Sequence, residues 1–395
     1  MSGTLRLAWR FVAFHRTRTI VLVACLALTI SLPVSMRILV QRFEQQLTLR
    51  AESTPLVVGA SGSRVDLVLH ALYFRGQPPR ESAMREVDRI TNSGYATAIP
   101  VFARFRAGGF SLIGTTSEYF TFRQLRLARG NNLRRLGDCL IGSRVATERN
   151  LIPGDALLSE AESAFDPDGS FPLKMRVAGV LAESGTPDDE AVFVEIHTAW
   201  IIAGVGHGHV RPQVPTDVEQ QPGDAGDSSE PVHDPGLIEF TEITDENADA
   251  FHFHGPTDRF PVTAIIAIPH DDRSATLLMG RYLDADDPSQ LLNPVDVIQE
   301  LLQFVVRLRQ FFDMAFAVLS AVTVLFFMLV MALSVRLRQR EFETMHRLGC
   351  SRLLIIRLVA TELLIVVMMS LSVCVVLQIG IWFAMPWVVT GWLAA

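Results

Sequence analysis

Apolar positions gather in three long uncharged runs, two of them flanking a stretch of mixed pattern that makes up most of the chain. Thr19 to Met36 gives 18 residues without a charge, Met314 to Val335 gives 22 and Leu363 to Val389 gives 27. About 20 apolar residues cover the hydrocarbon core of a bilayer. The pattern therefore predicts transmembrane helices over 19–36, over 314–335 and within 358–395, with a kink at Pro33. Ahead of the first run, Leu5, Ala8, Phe11 and Val12 recur at helical spacing between arginines. Such a segment, residues 1–18, is expected to lie as an amphipathic helix at the inner membrane surface. No A-x-A-like cleavage signal follows, so the first run reads as a retained span.

Two further helical stripes adjoin the spans. Leu39, Phe43 and Leu47 line one side of 37–50, and Val297, Ile298, Leu301, Leu302, Val305 and Leu308 line one side of 295–313. These predict two stalk helices that pack together above the membrane. Between them, residues 51–294 read as a soluble domain. VDLVLHALYF, FARFRAGGFSLIG, DCLIGSRVA, LKMRVAGVLAE, EAVFVEI and VTAIIAIP are short β-like runs bounded by Gly, Pro or Asp. Helical patterns stand at Arg80–Thr91, Arg144–Arg149 and Ile196–Ala203. The expectation is an α-helical transmembrane protein of three spans, with a large α+β domain between spans 1 and 2.

Composition agrees with that mixture: 49% of residues are hydrophobic and the mean hydropathy is +0.29. The net charge of −7 is unevenly spread. Residues 1–19 carry four arginines and no acid, whereas 204–260 carries 12 acids against Arg211 and Arg259. The first fact places the N-terminus inside and the domain outside. The second marks 204–260 as a long, partly disordered insert. No basic aromatic surface stands out, which argues against nucleic acid. Lys174 is the single lysine, so no P-loop is present and ATP would have to be hydrolysed by another chain. The four cysteines are scattered and predict no disulfide framework.

The link between the last two runs, Arg336 to Arg357, holds six arginines and two glutamates, which makes it cytoplasmic. Trp382, Trp387 and Trp392 suit an aromatic belt at the outer interface, giving three spans with the C-terminus out. Within the link, Glu341 and Glu343 stand at the front of a short helix, with Arg347 and Arg352 at its back, as the helix dipole favours. Gly349 is placed to end that helix, and Met345 and Leu348 share a face that can dock in an apolar groove.

The run R-x-R-E-F-E-T-M-x-R-L-G-x-S-R resembles the FtsX/MacB-like permeases of ABC transporters. Arg338, Arg340, Glu341, Thr344, Leu348, Gly349, Ser351 and Arg352 carry the match, with Glu362 in the place of that family's glutamate. In the soluble domain, Gly137-Asp138-Cys139-Leu140-Ile141-Gly142 with Val145-Ala146, then Leu151-Ile152-Pro153-Gly154-Asp155, then Val177-Ala178-Gly179-Val180-Leu181, are similar to the family's periplasmic segments. A departure is the fourth span that members usually have.

The resemblance implies a non-catalytic permease subunit of a bacterial inner membrane, multi-pass, with a periplasmic domain. It implies a separate ABC ATPase subunit engaging 336–357, Met345 included, and a second permease subunit, as homodimer or heterodimer. It further implies a periplasmic binding or accessory protein, contact with membrane lipids, and motion carried to the periplasm through the stalks. Transport of metal, lipid, lipoprotein or peptide is one expectation. A non-transporting FtsX-like regulator or scaffold acting on a periplasmic partner is the alternative.

His207, His209, His233, His252 and His254 fall in the acidic insert as H-G-H, a lone His and H-F-H. Imidazoles among carboxylates suit zinc, and alternation places two ring nitrogens on one side of a strand. This predicts a flexible zinc site. The acidic runs Asp188-Asp189-Glu190 and Asp284 with Asp286-Asp287 have no base or nucleophile beside them and read as solvated loops, not as catalytic groups. The spans lack central charges, and Glu362 at the inner edge of its span is expected to face the interface or a neighbouring arginine.

Overall fold

The computed structural model describes residues 2–160, 172–208, 241–244, 246–284 and 286–394. Contacts divide the chain into Met1–Gln46 with Leu302–Ala395, and Leu47–Leu301. The chain opens with α1 (Ser2–Phe14) and α2 (Arg16–Glu52), continues with β1 (Leu56–Ala60) and α3 (Arg64–Tyr73), then β2 (Ser82–Ala83) and α4 (Met84–Asn92). A hairpin of β3 (Ala96–Ala107) and β4 (Phe110–Thr115) precedes α5 (Ser117–Phe122), β5 (Leu127–Gly130), β6 (Asp138–Ile141) and α6 (Ser143–Arg149). Next come β7 (Ala156–Leu158), β8 (Leu173–Leu181), β9 (Ala191–Glu195), α7 (Ile196–Ile202), β10 (Gly206–Gly208), β11 (Thr241–Glu242) and β12 (Phe251–Phe253). The unit closes with β13 (Pro261–Val262), β14 (Ala264–Pro269), α8 (Asp272–Gly280) and β15 (Ser289–Leu292). The last helices are α9 (Pro294–Leu337), α10 (Gln339–Arg347) and α11 (Arg352–Ala394).

In the helical unit, α2, α9 and α11 are each long and apolar enough to cross a membrane. Leu22 and Val23 of α2 meet Phe327 and Met331 of α9 and Val366 of α11 in a small apolar core. Lipid tails are as apolar as these side chains, so hydrogen bonds between helices matter more here than in water. Thr29 Oγ1 lies 3.2 Å from Thr323 Oγ1, and the Gln378 amide donates to the Ser31 carbonyl at 3.0 Å and to Ser35 Oγ at 2.9 Å. Val318, Val322, Leu325 and Leu329 of α9 stay exposed, as lipid-facing positions would. The expected stalk segments 37–50 and 295–313 continue α2 and α9 as helix, and Arg37 and Asp313 pair at 3.5 Å. Trp382 is exposed, whereas the side chains of Trp387 and Trp392 lie outside the described ones.

The second unit is α+β, built on a mixed sheet ordered β11-β8-β6-β9-β4-β3-β14-β1-β15, with β5 and β7 also pairing β8. The pairs β4·β9, β6·β8 and β8·β11 are parallel, and the others in this sheet antiparallel. Its core gathers Phe102, Leu112, Val192, Ile196 and Trp200, the indole of Trp200 donating to the Pro261 carbonyl at 2.9 Å. Of the six expected β-like runs, VDLVLHALYF is instead helix α3. Its apolar positions Leu67, Val68, Ala71 and Leu72 follow helical spacing and are all buried. Ser63 caps the N-terminus by accepting from the Asp66 amide at 3.2 Å, and Phe74 closes the other end at φ 56°. The helix expected over Arg80–Thr91 begins only at Met84, because Ser82 and Ala83 pair with Pro261 and Val262. In the expected disordered insert, residues 209–240 lie outside those described. Thr241–Glu242 joins the sheet beside Leu173–Lys174, and Phe251–Phe253 pairs with Gly206–Gly208.

The larger correction concerns Asp188-Asp189-Glu190, which is not a solvated loop. Asp188 is 1% exposed and forms a two-pronged bridge with Arg50, Oδ2 to Nη1 at 2.8 Å and Oδ1 to Nη2 at 2.9 Å. The Tyr119 hydroxyl donates to Asp188 Oδ1 at 2.7 Å, and Arg50 Nε donates to the Leu72 carbonyl at 3.2 Å. Burial alone would push the Asp188 pKa up; Arg50, by charge and by hydrogen bonding, together with the Tyr119 hydroxyl and the charge of Arg123, more than offsets this and holds it below the usual carboxylate range. Glu190 takes Arg75 and Arg144, and Asp287 takes Arg89 at 2.8 Å.

Two outcomes follow for stability. Asp188→Ala leaves a buried guanidinium without its partner and is expected to cost about 3–5 kcal/mol, whereas the paired change Arg50→Met with Asp188→Leu costs much less. Thermal unfolding of the full chain in detergent distinguishes the two. His70 in α3 is 4% exposed, and burial pushes its pKa down to about 4, against a smaller opposing effect of the Ala103 backbone. A neutral folded imidazole is stabilising above the ordinary pKa of about 6.5, and that contribution is lost as pH falls from there toward 4, up to about 3 kcal/mol. His70→Leu removes this dependence. Its melting temperature relative to wild type is expected to rise steadily between pH 7 and pH 4.5.

Candidate functional site

The charged link folds as α10 and two sharply formed ends. Glu341 lies in the first turn and His346 and Arg347 in the last, which suits the dipole. Glu343 and Arg347 pair at 2.8 Å across one turn. At the C-terminus, Cys350 N–H donates to the Met345 carbonyl at 3.0 Å and Gly349 N–H to the His346 carbonyl at 3.0 Å. This is a Schellman motif, and Gly349 at φ 94° supplies the left-handed residue that it needs. Ser351 then caps α11 by accepting from the Leu354 amide at 3.3 Å. The L-G-x-S sequence therefore encodes a stop, a turn and a restart within four residues.

Of the expected coupling residues, Arg340, Glu341, Thr344, Leu348, Ser351 and Arg352 are exposed, and Leu348 is 80% so. Met345 is half-buried, and the Thr344 hydroxyl donates back to the Arg340 carbonyl at 2.8 Å. Arg352 begins α11 and so does not serve the C-terminus of α10, a correction to the dipole expectation. Its physical reason is the Gly349 turn, which separates the two helices.

Arg338, at the root of α10, is the exception to this exposure. Its guanidinium carbon sits 3.5 Å from the Phe11 ring centroid and 4.9 Å from that of Phe342. It bonds Glu341 at 3.3 Å and Glu362 at 3.2 Å. The Glu362 carboxylate, 5% exposed, accepts on its other oxygen from Arg18 at 2.8 Å, and Arg18 also meets Ser334. One buried carboxylate thus joins α1, α2, α9, α10 and α11. A neighbouring arginine for Glu362 is legible in the sequence; its identity as Arg18 and Arg338, with Phe11 beneath, is not. The only sequence signal for Arg18 is that it borders an apolar run.

The histidines divide differently. His209 and His233 lie outside the described residues. His207 on β10 stands directly opposite His252 on β12 in the register, and the rings of His252 and His254 are 4.7 Å apart. Among the described residues, no group of three or more His, Cys, Asp or Glu side chains gathers as a metal site requires. His197, not singled out in the sequence, packs on Phe253 at 5.4 Å between ring centroids. A 2.7 Å hydrogen bond to Glu195 raises its pKa.

Comparison with known proteins adds the following. A model of the MacB-like periplasmic core domain matches residues 19–221. The chain is similar to the periplasmic region of MacB from Actinobacillus actinomycetemcomitans at 12% identity and a TM-score of 0.34, over 65% of this chain and 97% of that one. It is also similar to the extracellular domain of the noncanonic ABC-type transporter YknZ from Gram-positive bacteria, at 10% identity and a TM-score of 0.32, over 60% of this chain and 98% of that one. No curated protein matches it.

Proposed function

We propose a function from one premise: this chain belongs to the family of the MacB-like periplasmic core domain, and is a permease component of ABC-transporter type. Membership implies association with an ABC ATPase subunit. In our reading that subunit is a separate chain which grips α10, and the protein itself hydrolyses nothing. The observation that carries this is the contrast along α10 between a buried root and an exposed tip. Arg338 is locked onto Glu362 and Phe11, while Leu348 presents an apolar side chain at 80% exposure beside the Gly349 turn. A short helix fixed at both ends transmits force without melting, and an exposed Leu beside Met345 suits an apolar groove. Movement of α10 reaches α2 and α11 through the Glu362 carboxylate.

From there we read mechanical transmission, because α2 and α9 each run unbroken through residues of both units. The described spans offer hydroxyl and amide pairs such as Thr29–Thr323 and Gln378–Ser31, which hold helices together and supply no charged conduit. A bacterial inner-membrane location, a second permease subunit and a periplasmic accessory protein complete the reading. Tagged full chain purified from its native host in mild detergent is expected to carry an ATPase with it. Gly349→Pro cannot adopt φ 94° and loses the bond to His346. It is expected to leave the protein folded and inserted but to reduce the co-purified ATPase to background. An unchanged yield of ATPase with Gly349→Pro would sink the coupling role.

A second reading concerns cargo, and the register pairing of His207 with His252 favours it. Zinc, moved or sensed, suits two facing imidazole-bearing strands followed by His254. Titration calorimetry of the full chain with zinc is expected to show binding at micromolar metal, abolished when His207, His209, His233, His252 and His254 are all replaced by alanine. Equal heats for the two proteins would remove zinc from the account.

A further inference from the structure

The first acid of the chain is Glu44, yet Arg6, Arg10, Arg16 and Arg18 all stand near the N-terminus. Arg18 is spent on Glu362, and Arg16 Nε donates to the Ala13 carbonyl at 3.1 Å. Arg6 and Arg10 belong to α1, whose sides differ in character. Ala8 and Val12 are buried, and α1 packs on α11. At about 100° per residue, Arg6 and Arg10 both fall about 160° from Ala8, on the opposite side. Leu5 and Trp9 border them on one flank, and Leu7 and Phe14 on the other. These four side chains are between 49% and 81% exposed.

Helix α1 does not prolong α2. The Thr19 hydroxyl donates to the Val12 carbonyl at 3.1 Å, seven positions back, and a straight helix would hold those residues about 10 Å apart along its axis. The two helices therefore meet at an angle. With α2 as a span, α1 leaves the line of the span at its end, where a bilayer presents its headgroups. Charge at this end has one sign to spare. Glu341 is engaged by Arg338, Glu343 by Arg347, and Glu362 by Arg18 and Arg338. Arg6 and Arg10 are exposed, and among the described residues no acid pairs with either.

We propose that α1 docks on anionic phospholipid headgroups and that this docking braces the root of α10. Guanidinium groups meet phosphates while their stems lie with Trp9 and the flanking apolar side chains against the acyl boundary. An apolar protein groove would cover those flanks but leave both arginines unmatched. The charge makes the surface select anionic over zwitterionic lipid. Phe11 is the brace. It belongs to α1, and the Arg338 guanidinium carbon stands 3.5 Å from its ring centroid. A helix held on lipid keeps that ring in place, and one that lifts away withdraws it from the cation. The proposal takes the helical unit as membrane-embedded. It goes beyond the gripping of α10 by an ATPase and does not depend on it.

Hydrogen exchange of the full chain in lipid nanodiscs, with no ATPase present, tests it. The two lipids are phosphatidylcholine alone and phosphatidylcholine mixed with phosphatidylglycerol. Amides of 2–14 are expected to exchange at least about tenfold more slowly in the anionic discs, since two arginines each gain from the surface potential. Those of 339–347 are expected to slow with them, and high salt to remove both differences. Arg6→Gln with Arg10→Gln is expected to exchange alike in the two lipids, at the rate wild type shows in neutral discs. Phe11→Ala is expected to keep the response of 2–14 and to lose that of 339–347. Equal exchange of 2–14 in the two lipids overturns the proposal, as does a double variant that still responds to anionic lipid. A wild-type response confined to 2–14 overturns the brace. Slowing of 2–14 that appears in neutral discs only on adding the ATPase assigns α1 to that protein and overturns lipid docking.

Discussion

The second unit depends on one buried ion pair. Arg50 and Asp188 are separated by 138 positions in sequence and are 7% and 1% exposed in their side chains. Neither charge could be left in that interior without the other, because desolvation of a lone ion exceeds what packing can return. The pair therefore acts as a constraint on everything that touches it. It fixes the last turn of α2, the end of α3 through the Leu72 carbonyl, α5 through Tyr119, and the turn that leads into β9. Gly142 follows from the same constraint, since a Cβ there would collide with the backbone carbonyls of Asp188 and Asp189.

The helical unit repeats the device at Glu362. Glu362 draws Arg18 and Arg338 together from opposite ends of the sequence, and Phe11 covers Arg338 from below. In each unit, apolar packing alone would tolerate several arrangements of the elements, as cores tolerate changes of similar volume. A carboxylate that accepts a particular guanidinium on each oxygen does not. Helices of this apolar kind have little hydrophobic driving force between them in lipid, so a directional contact at Glu362 sets their register more firmly than Leu22, Val23 and Val366 can.

This explains which parts were legible in the sequence. The three apolar helices, the α10 stop at Gly349 and helices α6 and α7 rest on local rules of length, spacing and capping, and they read correctly. Helix α3 was misread because Val65, Leu67 and Leu69 also alternate, so that two periods fit ten residues and only burial decides between them. The acidic run 188–190 was misread for another reason. Nothing in the sequence near it names a partner, and its partners Arg50, Arg75 and Arg144 come from three separate elements. Local composition says that a carboxylate is polar; only the fold says that it is paired.

The same distinction separates family from function. Gly137, Asp138, Gly142, Gly154 and Asp155, the positions that carry the periplasmic resemblance, all have a structural use. Gly137 and Gly154 adopt positive φ, Asp155 accepts from the Ile152 amide at 2.8 Å to close a turn, and Asp138 holds the loop before β6. These residues specify how a MacB-like domain is folded and carry no information about what it handles. Chemistry particular to this chain has to reside in side chains which the fold leaves free to vary. The exposed face of α10, Leu348 above all, meets that condition. Those side chains can vary without disturbing the two carboxylates on which the packing depends.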